Sequence, residues 1–345
     1  MKIDIKSLNL NELRQIVKDM SLPAFRASQI YDWLHKKLVT DFDEMTNLSK
    51  DLKETLSQRF ELTALSLETL QESKIDGTRK YLFKLSDGNF VESVLMRYKH
   101  GNSVCISSQV GCRMGCRFCA STLDGLTRNL TPAEMLDQIY RIEKDLGERV
   151  SNVVVMGTGE PLDNYDNLIK FIELLTDENG LNISQRNVTV SSCGLCENIK
   201  RLADEDFQIT FALSLHAVTD EKRRSIMPIA NKYTIEELLD AVGYYFEKTK
   251  RRVTFEYALI AGVNDTDDDA NGLIALASKV GAHVNLIPVN PIKEREYRET
   301  PRDAVDAFKN KLEKRRINVT IRREMGRDID GACGQLRKKT MDANS

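Results

Sequence analysis

From about residue 101 onward, short β-rich runs alternate with longer helical patterns, and few folds accept such a chain. Predicted strands cover 104–107, 152–156, 187–191, 209–215, 252–259 and 284–289, with a terminal strand over 318–322. Helical stretches fall between them, near 131–146, 165–178, 196–205, 234–250, 267–280 and 302–316. Thr131-Pro132-Ala133-Glu134 opens one of these with Thr as cap and Pro at the first helical position. Strand–helix alternation implies a parallel sheet with right-handed crossovers. Six units point to an α/β partial barrel of (βα)6 type rather than a closed eight-unit barrel, with a doubly wound sheet as the alternative.

The segment before the barrel reads differently. Leu48, Leu52 and Leu56 recur on one helical face, and Pro23 suits the first turn of a helix carrying Ile30, Trp33 and Leu34. Residues 1–60 carry ten basic and nine acidic residues and are expected to form a small helical accessory domain. Over 61–98, two predicted strands at 80–85 and 90–97 flank Asp87-Gly88, a hairpin signal, and are expected to link that domain to a catalytic domain over 99–345. A net charge of −2 excludes a general polybasic coat, and no apolar run approaches the ~18 residues of a membrane span. The N-terminus, MKIDIKSLNLNELR, lacks the apolar core of a secretory leader. The expectation is a cytoplasmic protein with no membrane association.

Seven cysteines, an odd number, argue against a disulfide framework. Cys105, Cys112, Cys116 and Cys119 lie within fifteen residues, and the last three form C-x3-C-x2-C just after the first predicted barrel strand. Thiolates this close bind something or oxidise. Structural zinc wants four ligands, and His35, His100, His216 and His283 have no ligand spacing near the cluster. A [4Fe–4S] cluster with three cysteine ligands fits better. Its open iron suits the amino and carboxylate groups of S-adenosylmethionine, whose sulfonium an electron from the cluster can split to a 5′-deoxyadenosyl radical.

Met156-Gly157-Thr158-Gly159-Glu160-Pro161 follows at the end of the second strand, where glycines admit a ligand and Glu160 can accept from a bound amino group. Ser191, Ser214-Leu215-His216 and Asn290 occupy the ends of later strands, the side on which ligands bind in such sheets. Cys193 and Cys196 have no second pair to complete a metal site and read as structural.

With these motifs the chain resembles the radical S-adenosylmethionine superfamily and, within it, the RlmN/Cfr group of RNA adenine methyltransferases, on the RlmN side. The resemblance runs over nearly the whole length, and Arg322–Leu336, RREMGRDIDGACGQL, is its most specific stretch. It implies a radical S-adenosylmethionine barrel in which Cys112, Cys116 and Cys119 hold the cluster. Gly159, Glu160, Ser191, Ser214, Leu215, His216 and Asn290 would contact S-adenosylmethionine, two molecules of which are used per turnover. Cys333 would be the methyl carrier, Cys105 its thiol partner in a transient disulfide, and Glu92 the proton acceptor. The implied targets are an adenine at the peptidyl transferase centre of 23S rRNA and the tRNA adenine 3′ of the anticodon. A flavodoxin-type electron donor and a monomer are the accompanying expectations.

The chemistry motivates the extra thiols. C2 of adenine is electron-poor and cannot attack a sulfonium, whereas a thiolate can. Residues 305–339 carry eleven basic and five acidic residues, a net +6, and Lys314–Arg316, Arg322-Arg323 and Arg337–Lys339 are expected to flank Cys333 and meet the RNA backbone. The target base must be unstacked, which favours single-stranded loops. The rival within the group is Cfr-like methylation at C8, whose relatives tend to carry Ala where this chain has Pro161. Two others are a radical enzyme with a different substrate and a non-catalytic iron–sulfur or zinc module that binds RNA.

Overall fold

The structure, a computed structural model, describes residues 2–291, 294–329 and 334–343. Strands β1 (Ile3–Asp4) and β2 (Phe60–Glu61) pair in parallel and close off three helices, α1 (Leu10–Asp19), α2 (Phe25–His35) and α3 (Lys50–Arg59). Asn9 and Glu12 form a reciprocal cap on α1, and Ser49 caps α3. Leu52 and Leu56 are buried on one face of α3, whereas Leu48, also buried, precedes the cap residue Ser49 and lies outside the helix.

Among the described residues the main sheet has ten strands. β3 (Ser66–Glu72), β4 (Arg79–Lys84) and β5 (Phe90–Tyr98) form an antiparallel meander, and β5 pairs antiparallel with β6 (Gly101–Cys105). The Asp87-Gly88 turn closes β4 on β5 with Lys84 opposite Phe90, and the meander continues the barrel sheet. A separate pair, β7 (Gln109–Gly111) and β8 (Leu126–Asn129), brackets the cysteine loop.

The alternation then runs α4 (Pro132–Leu146), β9 (Val150–Val155), α5 (Tyr165–Thr176), β10 (Val188–Ser192), α6 (Cys196–Asp204) and β11 (Thr210–Ser214). It continues with α7 (Asp220–Ile226), α8 (Ile235–Thr249), β12 (Thr254–Leu259), α9 (Asp267–Val280), β13 (His283–Pro288), α10 (Arg302–Lys314), β14 (Val319–Ile321) and α11 (Gln335–Ala343). β6 and β9 to β14 are mutually parallel in the order β6-β9-β10-β11-β12-β13-β14, an open α/β barrel with the meander on one edge. α7 and α11 were not expected: α7 is a short charged segment capped by Thr219, and α11 is polar, so neither shows an apolar stripe.

Thr131 and Glu134 form the expected reciprocal cap on α4. The N-terminal helices dock on α4 and α5 through buried polar contacts. Lys6 Nζ lies 2.6 Å from Asp137 Oδ1 with both side chains fully buried, and Tyr31 donates to Asp177 at 2.8 Å. Among the described residues no helix is long and apolar enough to cross a membrane.

Candidate active site

The cysteine loop is held by its backbone. Cys112 N–H donates to Gly125 O at 2.8 Å, Cys119 N–H to Cys116 O at 3.1 Å, and Arg117 N–H to Ile226 O at the end of α7 at 2.8 Å. Thr122 Oγ1 reaches both Cys116 O and Cys119 O. Gly111 has φ +77°, and a Cβ there would collide with the Gly125 carbonyl oxygen, so the turn into the loop requires glycine. Cys112, Cys116 and Cys119 all line one cavity of about 260 Å³ at the carboxyl ends of the strands.

Burial pushes the Cys112 thiol up to about 12 and raises Cys116 as well, each further raised by the neighbouring thiols. Thiols raised in this way are held as thiolates only by a cationic centre. Among the described residues no three His, Cys, Asp or Glu side chains converge on a point suited to a single metal ion. A cubane shares its cysteines among different irons, and this donor set fits that arrangement.

The expected strand-end residues meet the same cavity. Gly159 has φ +111° and a Cβ there would lie 2.6 Å from that of Gln109, so the backbone sits hard against β7. Glu160 is buried, and burial raises its pKa; Oε1 accepts from Leu162 N–H at 3.0 Å and Oε2 from Cys193 N–H at 2.8 Å. The side chains of Ser192 and Cys193 also hydrogen-bond to the carboxylate. Ser191, Ser214, His216 and Asn290 also line the cavity. His216 Nδ1 accepts from Ala258 N–H at 2.9 Å, which leaves the proton of the neutral ring on Nε2, and the ring packs edge-on against Phe118 of the cysteine loop. Leu215 does not join them: its side chain is buried in the main core.

Other residues at or behind the cavity wall escaped the sequence reading. Cys193, read as structural, lines the cavity beside Cys116, while Cys196 packs in the core. Arg223 is fully buried and ties the ends of β10 and β11 together, donating to Cys193 O at 2.6 Å and to Leu215 O at 3.2 Å. Glu256 lines the cavity from β12. A lone carboxylate in the apolar run Val253–Ile260 was the available signal.

Cys105 faces a second cavity of about 470 Å³, with Val94, Met96, Arg322, Arg323, Arg327 and Gln335 among its walls. The two cavities share Ile287, Pro288, Asn290 and Arg322. Glu92 occupies the same face of β5 as Val94 and Met96. It is 4% exposed and sits 3.0 Å from Lys80 Nζ. Gly334 N–H donates to its Oε2 and Arg337 N–H to its Oε1, both at 2.6 Å, so Glu92 caps α11. Cys333 lies outside the described residues; its neighbour Gly334 packs on the Ala120–Thr122 turn that follows Cys119. Upstream, Asp328 accepts from Ser73 Oγ at 2.6 Å and Lys74 N–H at 2.8 Å, and Asp76 accepts from Gly326 N–H at 2.9 Å.

The basic segment does not act as one patch. Arg322, Arg323 and Arg327 wall the second cavity, but Lys314–Arg316 precede β14 and so lie at the opposite end of the parallel sheet. Arg337 is buried, and Lys338 lies 3.4 Å from Asp124.

An open α/β barrel with a three-thiol loop after its first parallel strand defines a radical S-adenosylmethionine enzyme, and residues 106–273 match the radical SAM superfamily model. Residues 3–62 match the ribosomal RNA large subunit methyltransferase N-terminal domain. A relative from Lachnospira eligens, named a probable dual-specificity RNA methyltransferase RlmN, is 65% identical over 98% of this chain and 97% of its own. One of the same name from Clostridium novyi is 53% identical over 99% of each chain. The crystal structure of a radical SAM methyltransferase from Sphaerobacter thermophilus superposes with a TM-score of 0.92 at 41% identity, covering 96% of this chain and 98% of that one. The chain belongs to the RlmN family of radical S-adenosylmethionine RNA methyltransferases. Its cofactors are accordingly a [4Fe–4S] cluster and S-adenosylmethionine.

Proposed function

We propose that this enzyme methylates C2 of adenine, both at the peptidyl transferase centre of 23S rRNA and 3′ of the anticodon in tRNA, through an S-methylcysteine at Cys333. The observation that carries the reading is the bond from Gly334, the residue after Cys333, to Glu92 on the wall that also bears Cys105. The proposed proton acceptor is thereby tied to the proposed methyl carrier.

Cys112, Cys116 and Cys119 hold the cluster in this reading, and Gly159, Glu160, Ser191, Ser214, His216 and Asn290 hold S-adenosylmethionine, with Leu215 anchoring its neighbours in the core. When bound, these groups supply a transferable methyl group and the one-electron chemistry that activates it, with two molecules of S-adenosylmethionine used per turnover. Cys333 takes the methyl group because a thiolate is nucleophilic where C2 is not. The second cavity seats the unstacked base, with Arg322, Arg323 and Arg327 toward its phosphates. Glu92 accepts the proton that leaves C2; among the described residues its donors are Lys80, Gly334 N–H and Arg337 N–H. Cys105, as a thiolate, attacks the Cys333 sulfur, and an S–S bond forms as the bond between that sulfur and the carbon joined to C2 breaks. That carbon takes a proton to become the methyl group, and the methylated base leaves. The single unpaired electron passes back to the electron-transfer chain, and two electrons from a reductant later restore both thiols. Residues 1–60 serve as a helical accessory domain, 61–98 as the connecting β segment and 99–345 as the catalytic domain. A flavodoxin-type donor supplies electrons to a monomeric enzyme.

The test is Cys333→Ala. Methyl transfer to RNA is expected to fall below detection while cluster content is unchanged. A variant that still methylates at the normal rate would refute the carrier mechanism.

A further inference from the structure

The arm over residues 323–329 follows β14 with no regular secondary structure, yet Arg323, Met325, Arg327 and Ile329 in it wall the second cavity. At its root, Arg322 N–H donates to Leu286 O on β13 at 2.8 Å. Beyond that root, among the described residues, the hydrogen bonds that tie the arm to other segments all run to the turn over 73–78, between β3 and β4. The exchange is reciprocal. Asp328 of the arm accepts from Ser73 Oγ at 2.6 Å and Lys74 N–H at 2.8 Å, and Asp76 of the turn accepts from Gly326 N–H at 2.9 Å. The turn closes without the arm: Ser73 N–H donates to Thr78 O at 2.8 Å, Gly77 N–H to Ser73 O at 3.1 Å, and Thr78 N–H to Asp76 Oδ1 at 3.0 Å. Farther along, Glu92 on β5 takes Gly334 N–H and Arg337 N–H, so the antiparallel meander holds the end of the chain at two places.

Contacts that a turn does not need for its own closure serve the segment they hold. We propose that Ser73 and Asp76 are positioning residues for RNA methylation: the β3–β4 turn clasps the arm and sets where Arg323, Met325, Arg327 and Ile329 stand around the base. Neither Ser73 nor Asp76 lines the cavity, so both act through the arm. This role rests on the reading of the second cavity as the seat of the base, and it gives the segment 61–98 a task beyond connection. An arm fixed before RNA arrives removes an ordering cost from binding. A broken clasp therefore weakens productive engagement of RNA and leaves the cofactor cavity unaffected.

The test opens the clasp from either side, with Asp76→Ala in the turn and Asp328→Ala in the arm, in cluster-reconstituted enzyme. Amide hydrogen exchange over 323–329, followed by mass spectrometry, is expected to speed up at least about tenfold in each variant. For an RNA stem-loop with an unmodified adenine in its loop, kcat/KM is expected to fall about tenfold, while affinity for S-adenosylhomocysteine by calorimetry stays within about twofold. The double variant is expected to match the worse single variant, since one clasp is lost only once. Asp328→Ala spares the turn's own backbone bonds and decides the matter if the Asp76 variant fails to fold. Unchanged exchange, faster exchange with unchanged kcat/KM, or an equal loss of cofactor affinity would each overturn the assignment. Arg323→Ala keeps the clasp and tests the cavity. If it leaves kcat/KM unchanged, the reading of the cavity fails and the positioning role with it; if it lowers kcat/KM while the clasp variants do not, the positioning role alone fails.

Discussion

His216 and His35 are both buried, and burial lowers each imidazole to about 3. The unfolded chain protonates both near 6.5, so between about pH 6.5 and 3 it binds one more proton per ring than the folded protein. Stability therefore falls as pH drops through that window, by about 1.4 kcal/mol per pH unit for each ring. Urea unfolding at pH 7.5, 6.0 and 5.0 checks this: His35→Gln is expected to show the shallower loss, and equal slopes would contradict it. At this scale the sequence was legible where chemistry is local. Cys112, Cys116, Cys119 and Glu160 are recognisable from spacing within a few residues. Glu256 and Arg223 were not, because their direction depends on strand parity and on neighbours tens of residues away.

Elements inherit their reliability from local caps and turns. The Thr131 cap and the Asp87-Gly88 turn were readable because their partners lie within a few residues. The capping of α11 by Glu92 was not, since it joins segments more than 240 residues apart, and the pairing of β5 with β6 was missed because its two-residue turn, Lys99-His100, carries no Asn-Gly or Asp-Gly signal. The cysteine loop gives the sharpest test of an element. Gly111→Ala places a methyl group against the Gly125 carbonyl oxygen at positive φ, and the loop must shift to relieve it. Iron and sulfide bound after anaerobic reconstitution are expected to fall to less than about half, with the rest of the fold retained by circular dichroism. Full cluster loading would show that the turn is not needed to place the thiols.

Across the whole molecule, the charge run at the C-terminal end divides between two ends of the barrel. A linear +6 segment looks like one patch, but a parallel strand carries the chain from one end to the other between Arg316 and Arg322. RNA affinity measured against salt separates the two groups. Arg323→Ala is expected to reduce the slope of log affinity on log salt by about one, as for a lost phosphate contact, and Arg316→Ala to leave it unchanged. Equal effects would return the whole run to a single interface.

The barrel class was legible because strand–helix alternation is set by composition along the chain, whereas the placement of a surface charge is set by topology. The central claim concerns which atom receives the methyl group. Nucleoside mass spectrometry of 23S rRNA and tRNA, from cells with and without the gene, measures it directly. 2-Methyladenosine is expected in both RNAs and lost with the gene; 8-methyladenosine in its place would contradict C2 as the methyl acceptor.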